Sequence, residues 1–396
     1  MGIARPLAAW SLTVAIALLA AASGPARAQS VDYTCGQEPG SRFSWVEWGF
    51  CDVEPHGPER ARGVVIWNHG ISGTAEQFRS PPALALRLLY RRGWDVIKIN
   101  RHNLGESKRD LSLSRGVDRT LAEARAQRAR GYPRVVLAGQ SFGGYLTLEA
   151  AASADVFGAV AMAPGITTRG GGEGKLDISA IERLLQTSKA ERLAVVFPPG
   201  DSLFDNFVRG PGALRALARR TGPFVVIDET ATEFRGHGGG TGGRFALRYG
   251  ACLADLITAE APAAGRVACP EGREWEAARE LLLEPRPPGI QVVREPAPEL
   301  APFAGLWFGT LNETVVVLGL AEREAGGPRL LYRAATPRVG GGLYAVRVEG
   351  GQLRAALSGP AVVLAPGPGG RLDLTWTSAD GRSTLRGALL PAGALE

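Results

Sequence analysis

The chain is poor in the residues that most often build metal sites, and in lysine. In 396 residues it has four histidines and four cysteines, and its only lysines are Lys98, Lys108, Lys175 and Lys189. The cysteines show no C-x-x-C spacing and no His/Cys/carboxylate cluster stands at ligand spacing, so no metal is expected. The formal charge is +6, yet no basic block interleaves with aromatics, so nucleic-acid binding is not expected. Arginine supplies most of the positive charge, and runs such as Arg125 to Arg130 read as a solvated helix face. Two glycine-rich stretches, Gly238–Gly243 and Arg169–Gly174, lack the Gly-Lys-Ser/Thr ending of a phosphate loop and read as loops bordering a pocket.

Long apolar runs are also scarce. The one at the amino terminus, Ala8 to Ala22, falls short of the about 20 residues a spanning helix needs. Arg5 precedes it, and Ala26-Arg27-Ala28 offers small residues for cleavage before Gln29. Residues 1–28 are therefore expected to be a secretory signal peptide. The processed chain is expected to be periplasmic or secreted, with no stable membrane insertion. Four cysteines fit an oxidising compartment and allow three pairings, among which the sequence alone does not choose. The local bridges Cys35–Cys51 and Cys252–Cys269 are favoured, each worth about 3 kcal/mol on a chain-entropy model.

The length suggests two domains. Between about Val31 and Leu283, apolar runs alternate with helical segments. Strands are expected at Val64–Trp67, Trp94–Ile99, Arg134–Ala138, Phe157–Met162, Leu193–Phe197 and Phe224–Ile227. Helices are expected near Pro82–Arg92, Asp118–Arg130, Gly144–Ala152, Ile178–Thr187, Pro211–Arg220 and Phe245–Thr258. Such alternation predicts a parallel sheet covered on both faces, with Phe43–Val53 adding one or two antiparallel edge strands. Composition changes near residue 284, where prolines predict an extended linker over 284–302. Beyond it helical periodicity vanishes. Eight short strand candidates predict a C-terminal all-β domain over 303–396, an antiparallel sandwich or barrel. A catalytic α/β domain over 29–283 completes the division.

Gly139-Gln140-Ser141-Phe142-Gly143 reads G-x-S-x-G between an expected strand and an expected helix. That context is the one a nucleophile elbow needs, with small residues where backbones crowd. A serine hydroxyl is a weak nucleophile without a base. In hydrolases built around such an elbow the order is Ser, then Asp or Glu, then His, and of the four histidines only His237 follows Ser141. His56 sits in a turn and reads as a loop residue; His69, His102 and Gln140 are possible pocket residues. The acid that orients the histidine is expected after the strand before last, where Asp201 is preferred, with Asp205 and then Asp228 as rivals. Asp201 and Asp205 also read as turn or cap residues. The Phe142 amide is one expected oxyanion donor. Asn68-His69-Gly70-Ile71-Ser72-Gly73 follows an early strand in an H-G-x-x-G pattern and offers Ile71 as the second.

Together these residues resemble the α/β-hydrolase superfamily, over about Gly63 to Thr258. The resemblance implies an eight-stranded, mostly parallel sheet, no cofactor, and an acyl-enzyme mechanism acting on a small-molecule ester or, less readily, an amide or peptide. Ser141 would attack, His237 would move the proton, Asp201 would orient His237, and the amides of Phe142 and Ile71 would hold the oxyanion. Serine at the elbow departs from the dehalogenase branch, which has aspartate there. Only about Gly165–Arg192 is available for a lid, enough for one helix and a loop. The C-terminal domain lies outside the core fold. It suggests the alternative of an envelope binding or structural protein that contacts cell-wall or carbohydrate material, with Trp307 and Trp376 either as stacking platforms or as buried packing.

Overall fold

The computed structural model describes residues 35, 46–72, 75–76, 79–99, 101, 109–166, 178–204, 208–284, 290–293, 295–323, 326–336 and 338–392. The expected leader 1–28, His102, Asp205 and the Arg169–Gly174 loop lie outside them. In chain order the first part runs β1 (Val46–Trp48), β2 (Gly63–Asn68), β3 (Ile71–Ser72), β4 (Ala75–Glu76), α1 (Leu86–Arg91), β5 (Trp94–Ile99) and α2 (Arg109–Ala129). It continues with β6 (Val135–Gln140), α3 (Phe142–Ser153), β7 (Gly158–Met162), α4 (Ile178–Thr187), β8 (Arg192–Val196), α5 (Gly210–Leu217), β9 (Phe224–Ile227), α6 (Gly243–Thr258) and α7 (Glu274–Leu282).

The central sheet has seven strands among the described residues, in the order β1-β5-β2-β6-β7-β8-β9. β1 is antiparallel to β5, and all the other pairings are parallel. The strands read as continuous apolar runs because both faces are covered. Val64, Ile66, Leu137, Ala159 and Val195 pack with Tyr145 and Leu148 of α3, Ile181 of α4 and Leu217 of α5. Their neighbours Val65, Trp67, Val136, Val160 and Val196 face the other way, towards Leu88 of α1, Phe245 and Leu253 of α6 and Leu281 of α7. α7 has no counterpart among the expected helices. It is a short helix whose Ala277, Ala278, Leu281 and Leu282 are buried, so tertiary packing rather than a long periodic pattern secures it. Cys35 is bonded to Cys51 and Cys252 to Cys269, with Cα–Cα distances of 5.0 and 5.4 Å.

The second part comprises β10 (Gln291–Val292), β11 (Leu306–Leu311), β12 (Thr314–Arg323), β13 (Gly326–Thr336), β14 (Arg338–Glu349), β15 (Gln352–Ala356), β16 (Ala361–Pro366), β17 (Leu372–Thr377) and β18 (Thr384–Pro391). From β11 to β18 each strand pairs antiparallel with the next, and β18 pairs back onto β11. The domain is therefore a closed eight-stranded up-and-down barrel rather than a sandwich, and closure leaves its eight strands without a free edge. Within the stretch 284–302, β10 pairs onto β12, and a 3₁₀ helix over Pro298–Phe303 buries Leu300 and Phe303. Trp307 and Trp376 both pack against the barrel interior, and the Trp307 Nε1–H donates to the Ala304 carbonyl at 3.0 Å.

β12 is buried on both faces. Val316, Leu318 and Leu320 fill the barrel, while Val315, Val317 and Ala321 join the core formed with α6 and α7. Phe308 of β11 meets Trp275 of α7, ring centroids 5.5 Å apart. Polar contacts cross the same boundary. Arg333 Nε–H donates to the Leu282 carbonyl at 3.2 Å. The Asp52 carboxylate accepts from the buried Arg87 of α1 and from the Val339 N–H of β14 at 3.0 Å. Burial alone would raise the Asp52 pKa, but Arg87 and the Val339 N–H outweigh it and hold the carboxyl below its ordinary 3.8. Among the described residues no helix is long and apolar enough to cross a membrane.

Two outcomes follow from this shared boundary. Calorimetry gives one unfolding transition, and Phe308→Ala lowers the stability of the whole molecule by about 3–5 kcal/mol; two separate transitions would show independent units. Because the folded Asp52 pKa is depressed, its stabilisation is present above the unfolded value of 3.8 and is lost as pH falls through the folded pKa. A melting-temperature series below pH 5 should be shallower in Asp52→Asn than in the native chain.

Candidate active site

β6 ends at Gln140 and α3 begins at Phe142, so Ser141 alone makes the turn. Its backbone stands at φ 58°, ψ −125°, outside the regions an L-residue favours, at a cost of about 1–3 kcal/mol. The Ser141 N–H donates to the Met162 carbonyl at 2.9 Å, and the Ser141 carbonyl accepts from Tyr145 N–H at 3.0 Å, which fixes both sides of the turn. Two glycines allow it. A Cβ on Gly139 would sit 2.2 Å from the Gly143 carbonyl oxygen, and one on Gly143 would sit 2.0 Å from that of Asn68. The first turn of α3 is thus pressed against the end of β2, where the second oxyanion donor is expected.

The segment after β2 is held from below. Asn68 is paired in register with Gly139 of β6, and Ile71 begins a two-residue strand paired to Glu76. His69 is buried at 1% exposure. Its Nε2 accepts the Arg101 backbone N–H at 3.1 Å, which leaves the ring proton on Nδ1 to donate to the Gly70 carbonyl at 2.8 Å. Arg101, itself at 0% exposure, donates from its guanidinium to the His69 carbonyl and to Asn68 Oδ1, the latter at 3.4 Å. The same group lies 5.5 Å from the centre of the Phe142 ring. Arg101 therefore touches both places from which oxyanion donors are expected, and His69 is part of the brace.

The acid and the histidine also come together. Asp201 follows the Pro199–Gly200 turn after β8 and is 1% exposed. Its Oδ1 lies 3.0 Å from Nδ1 of His237, on the segment between β9 and α6. Gln140, the residue before the serine, donates from Nε2 to the His237 carbonyl at 3.1 Å, which ties the histidine segment to the end of β6. The other Asp201 oxygen, Oδ2, accepts from the buried Arg209 guanidinium at 3.0 Å. Glu229 accepts the backbone N–H groups of Arg209 and Gly210 at 2.6 and 3.1 Å, locking the arginine segment in place. Asp228 instead accepts from Thr230 N–H and Oγ1 within its own turn. His56 is bonded to Asp95 at the start of β5, at the opposite end of the sheet.

Arg101 and Arg209 are the residues that sequence reasoning missed. Arg101 stands beside His102 in a segment flagged as a possible pocket, but nothing in one sequence separates a buried arginine from the many on the surface.

No protein-family model and no curated protein matches the chain. Solved structures do. The chain is similar to a metagenome-derived lipolytic enzyme of the LipS and LipT pair at 16% identity and TM-score 0.37, covering 50% of this chain and 94% of that one. It is similar to Est1E from Butyrivibrio proteoclasticus at 14% identity and TM-score 0.31, covering 50% and 86%. With Porphyromonas gingivalis dipeptidyl peptidase 4 the values are 18% and 0.37, covering 54% of this chain and 33% of that longer one. The parallel strand order, the helices on both faces and the strained serine turn after β6 define an α/β-hydrolase-like fold, to which the barrel is appended.

Arg209→Met leaves two carboxylates buried beside an apolar side chain. Urea denaturation should show a loss of about 3–5 kcal/mol, against little change for a solvent-exposed arginine such as Arg215.

Proposed function

We propose that the chain is an exported serine hydrolase that cleaves carboxylic esters through an acyl-enzyme intermediate. The observation that carries this reading is the strained turn at Ser141 joined, through Gln140, to a histidine that an aspartate holds by Nδ1. With the Nδ1 proton committed to Asp201, the other ring nitrogen is the one available as a base. In the proposed reaction the Ser141 Oγ attacks the ester carbonyl while His237 takes its proton. The carbonyl oxygen becomes an oxyanion at the amides of Phe142 and Ile71. His237 then returns the proton to the departing alkoxide, leaving an acyl-serine and a free alcohol. Water repeats the sequence and releases the acid.

An ester is preferred to an amide because an alkoxide departs more readily than an amine. The expected signal peptide and the two disulfides support export, since such bonds persist in oxidising compartments. The packing of Trp307 and Trp376 against the barrel interior favours a structural part for them over a sugar-stacking one.

Purified protein should hydrolyse activated acyl esters and be labelled by a fluorophosphonate. Ser141→Ala should lose labelling, and turnover should fall by roughly 10⁴- to 10⁶-fold. An unlabelled, inactive native chain, or a variant that keeps both signals, overturns the mechanism.

A further inference from the structure

The glycine run Gly238–Gly243 has a structural explanation that reaches the barrel. His237 and α6 are joined by a single 3₁₀ turn over Gly239–Thr241, closed by Thr241 N–H to the Gly238 carbonyl at 3.0 Å. The residue before α6, Gly242, has no side chain with which to cap the helix. The cap comes from the barrel instead. At the tip of the β11–β12 hairpin, the Glu313 carbonyl accepts the Gly243 N–H at 3.0 Å, and Glu313 Oε2 lies 3.4 Å from the Arg244 N–H. Asn312, at φ 54°, makes the left-handed turn that presents Glu313. The approach is close: a Cβ on Gly242 would sit 2.0 Å from Glu313 Oε2, and one on Gly243 would sit 2.5 Å from the Glu313 carbonyl oxygen. A carboxylate at the amino end of a helix is also favoured by the helix dipole.

We propose that this hairpin tip is a positioning element for His237: Glu313 caps α6 from the barrel and so fixes the turn that carries the histidine. This rests on the reading of His237 as the base. On its other side the segment is held by Asp201 at His237 Nδ1, by Gln140 at the His237 carbonyl, by Gly236 N–H donating to the Pro199 carbonyl at 2.8 Å and by Leu84 N–H donating to the Thr241 carbonyl at 3.0 Å, so Glu313 is the tie at its α6 end. Without Glu313 the turn loses its tie at the α6 end, and the histidine is expected to be held less closely by Asp201 and Gln140 alone. The barrel is then part of the catalytic apparatus.

The test uses the full chain and three variants. Glu313→Ala removes the side-chain contact at a half-exposed position. Glu313→Gln keeps an oxygen acceptor for the Arg244 N–H. Gly243→Ala raises intrinsic helix propensity while its methyl displaces the Glu313 carbonyl, so a loss there does not come from a weaker helix. For Glu313→Ala and Gly243→Ala, kcat on an activated acyl ester should fall about fivefold, the factor that a typical capping contact contributes, at unchanged KM. Deuterium exchange at residues 237–242 should quicken in both, and Glu313→Gln should restore most of the loss. Native kcat and native exchange in both variants overturn the proposal. Ser141→Ala separates the two readings. If it abolishes turnover while the hairpin variants behave as native, the triad stands and the hairpin has no positioning part. If it keeps turnover, the triad fails and exchange at 237–242 alone decides whether the hairpin holds the turn.

Discussion

Everything at the candidate site depends on a backbone held where it does not prefer to be. At φ 58° Ser141 leaves the strand and enters the helix in one residue, which carries its side chain out of the sheet at the carboxyl end of β6. The strain persists because the surroundings over-determine it. β7 binds the Ser141 N–H through Met162, α3 starts immediately, and Gly139 and Gly143 let three backbones meet closer than any Cβ would allow. The same crowding brings the end of β2 against the first turn of α3. One constraint thus sets both where the proposed nucleophile stands and where the oxyanion of the proposed reaction would lie.

Around that constraint the protein buries arginines. Arg101 and Arg209 are nearly inaccessible, and each joins separate segments: Arg101 the end of β2 to Phe142, and Arg209 the Asp201 turn to Glu229 after β9, with its guanidinium 4.9 Å from the centre of the Phe197 ring. Arg87 does the same for Asp52. A guanidinium suits this use, being planar, multiply donating and less costly to desolvate than an ammonium. The scarcity of lysine, first visible as a compositional oddity, fits a chain that employs its cations as internal cross-links as well as on its surface.

The sequence was legible where local pattern decides structure. Val64–Trp67 and Val135–Ala138 read as buried strands because every residue is apolar, and the eight short strand candidates after residue 303 fall on the eight barrel strands. Chain order singled out His237, and position on the turn after the strand before last favoured Asp201 over Asp205 and Asp228; the structure brings Asp201 and His237 within 3.0 Å. What escaped depends on partners far along the chain. Closure of the barrel rests on β18 returning to β11, which no local pattern announces. Within the proline-bearing stretch 284–302, β10 pairs with β12 and Leu300 and Phe303 are buried, contacts that no local pattern shows. Arg209 has no signature of its own, since its value lies in Asp201 and Glu229.

β12, buried on both of its faces, also bears on how the chain is assembled. Synthesis runs from the amino terminus, so the α/β part emerges first, with the apolar sides of α6 and α7 uncovered. Those surfaces gain their cover when the first barrel strands, β11 to β13, are made, whereas the barrel has no closed form until β18 arrives to meet β11. The α/β part is therefore expected to keep an open apolar seam until the first barrel strands join it, with closure of the barrel coming last. A protein arranged this way carries an exposed apolar seam through part of its own synthesis.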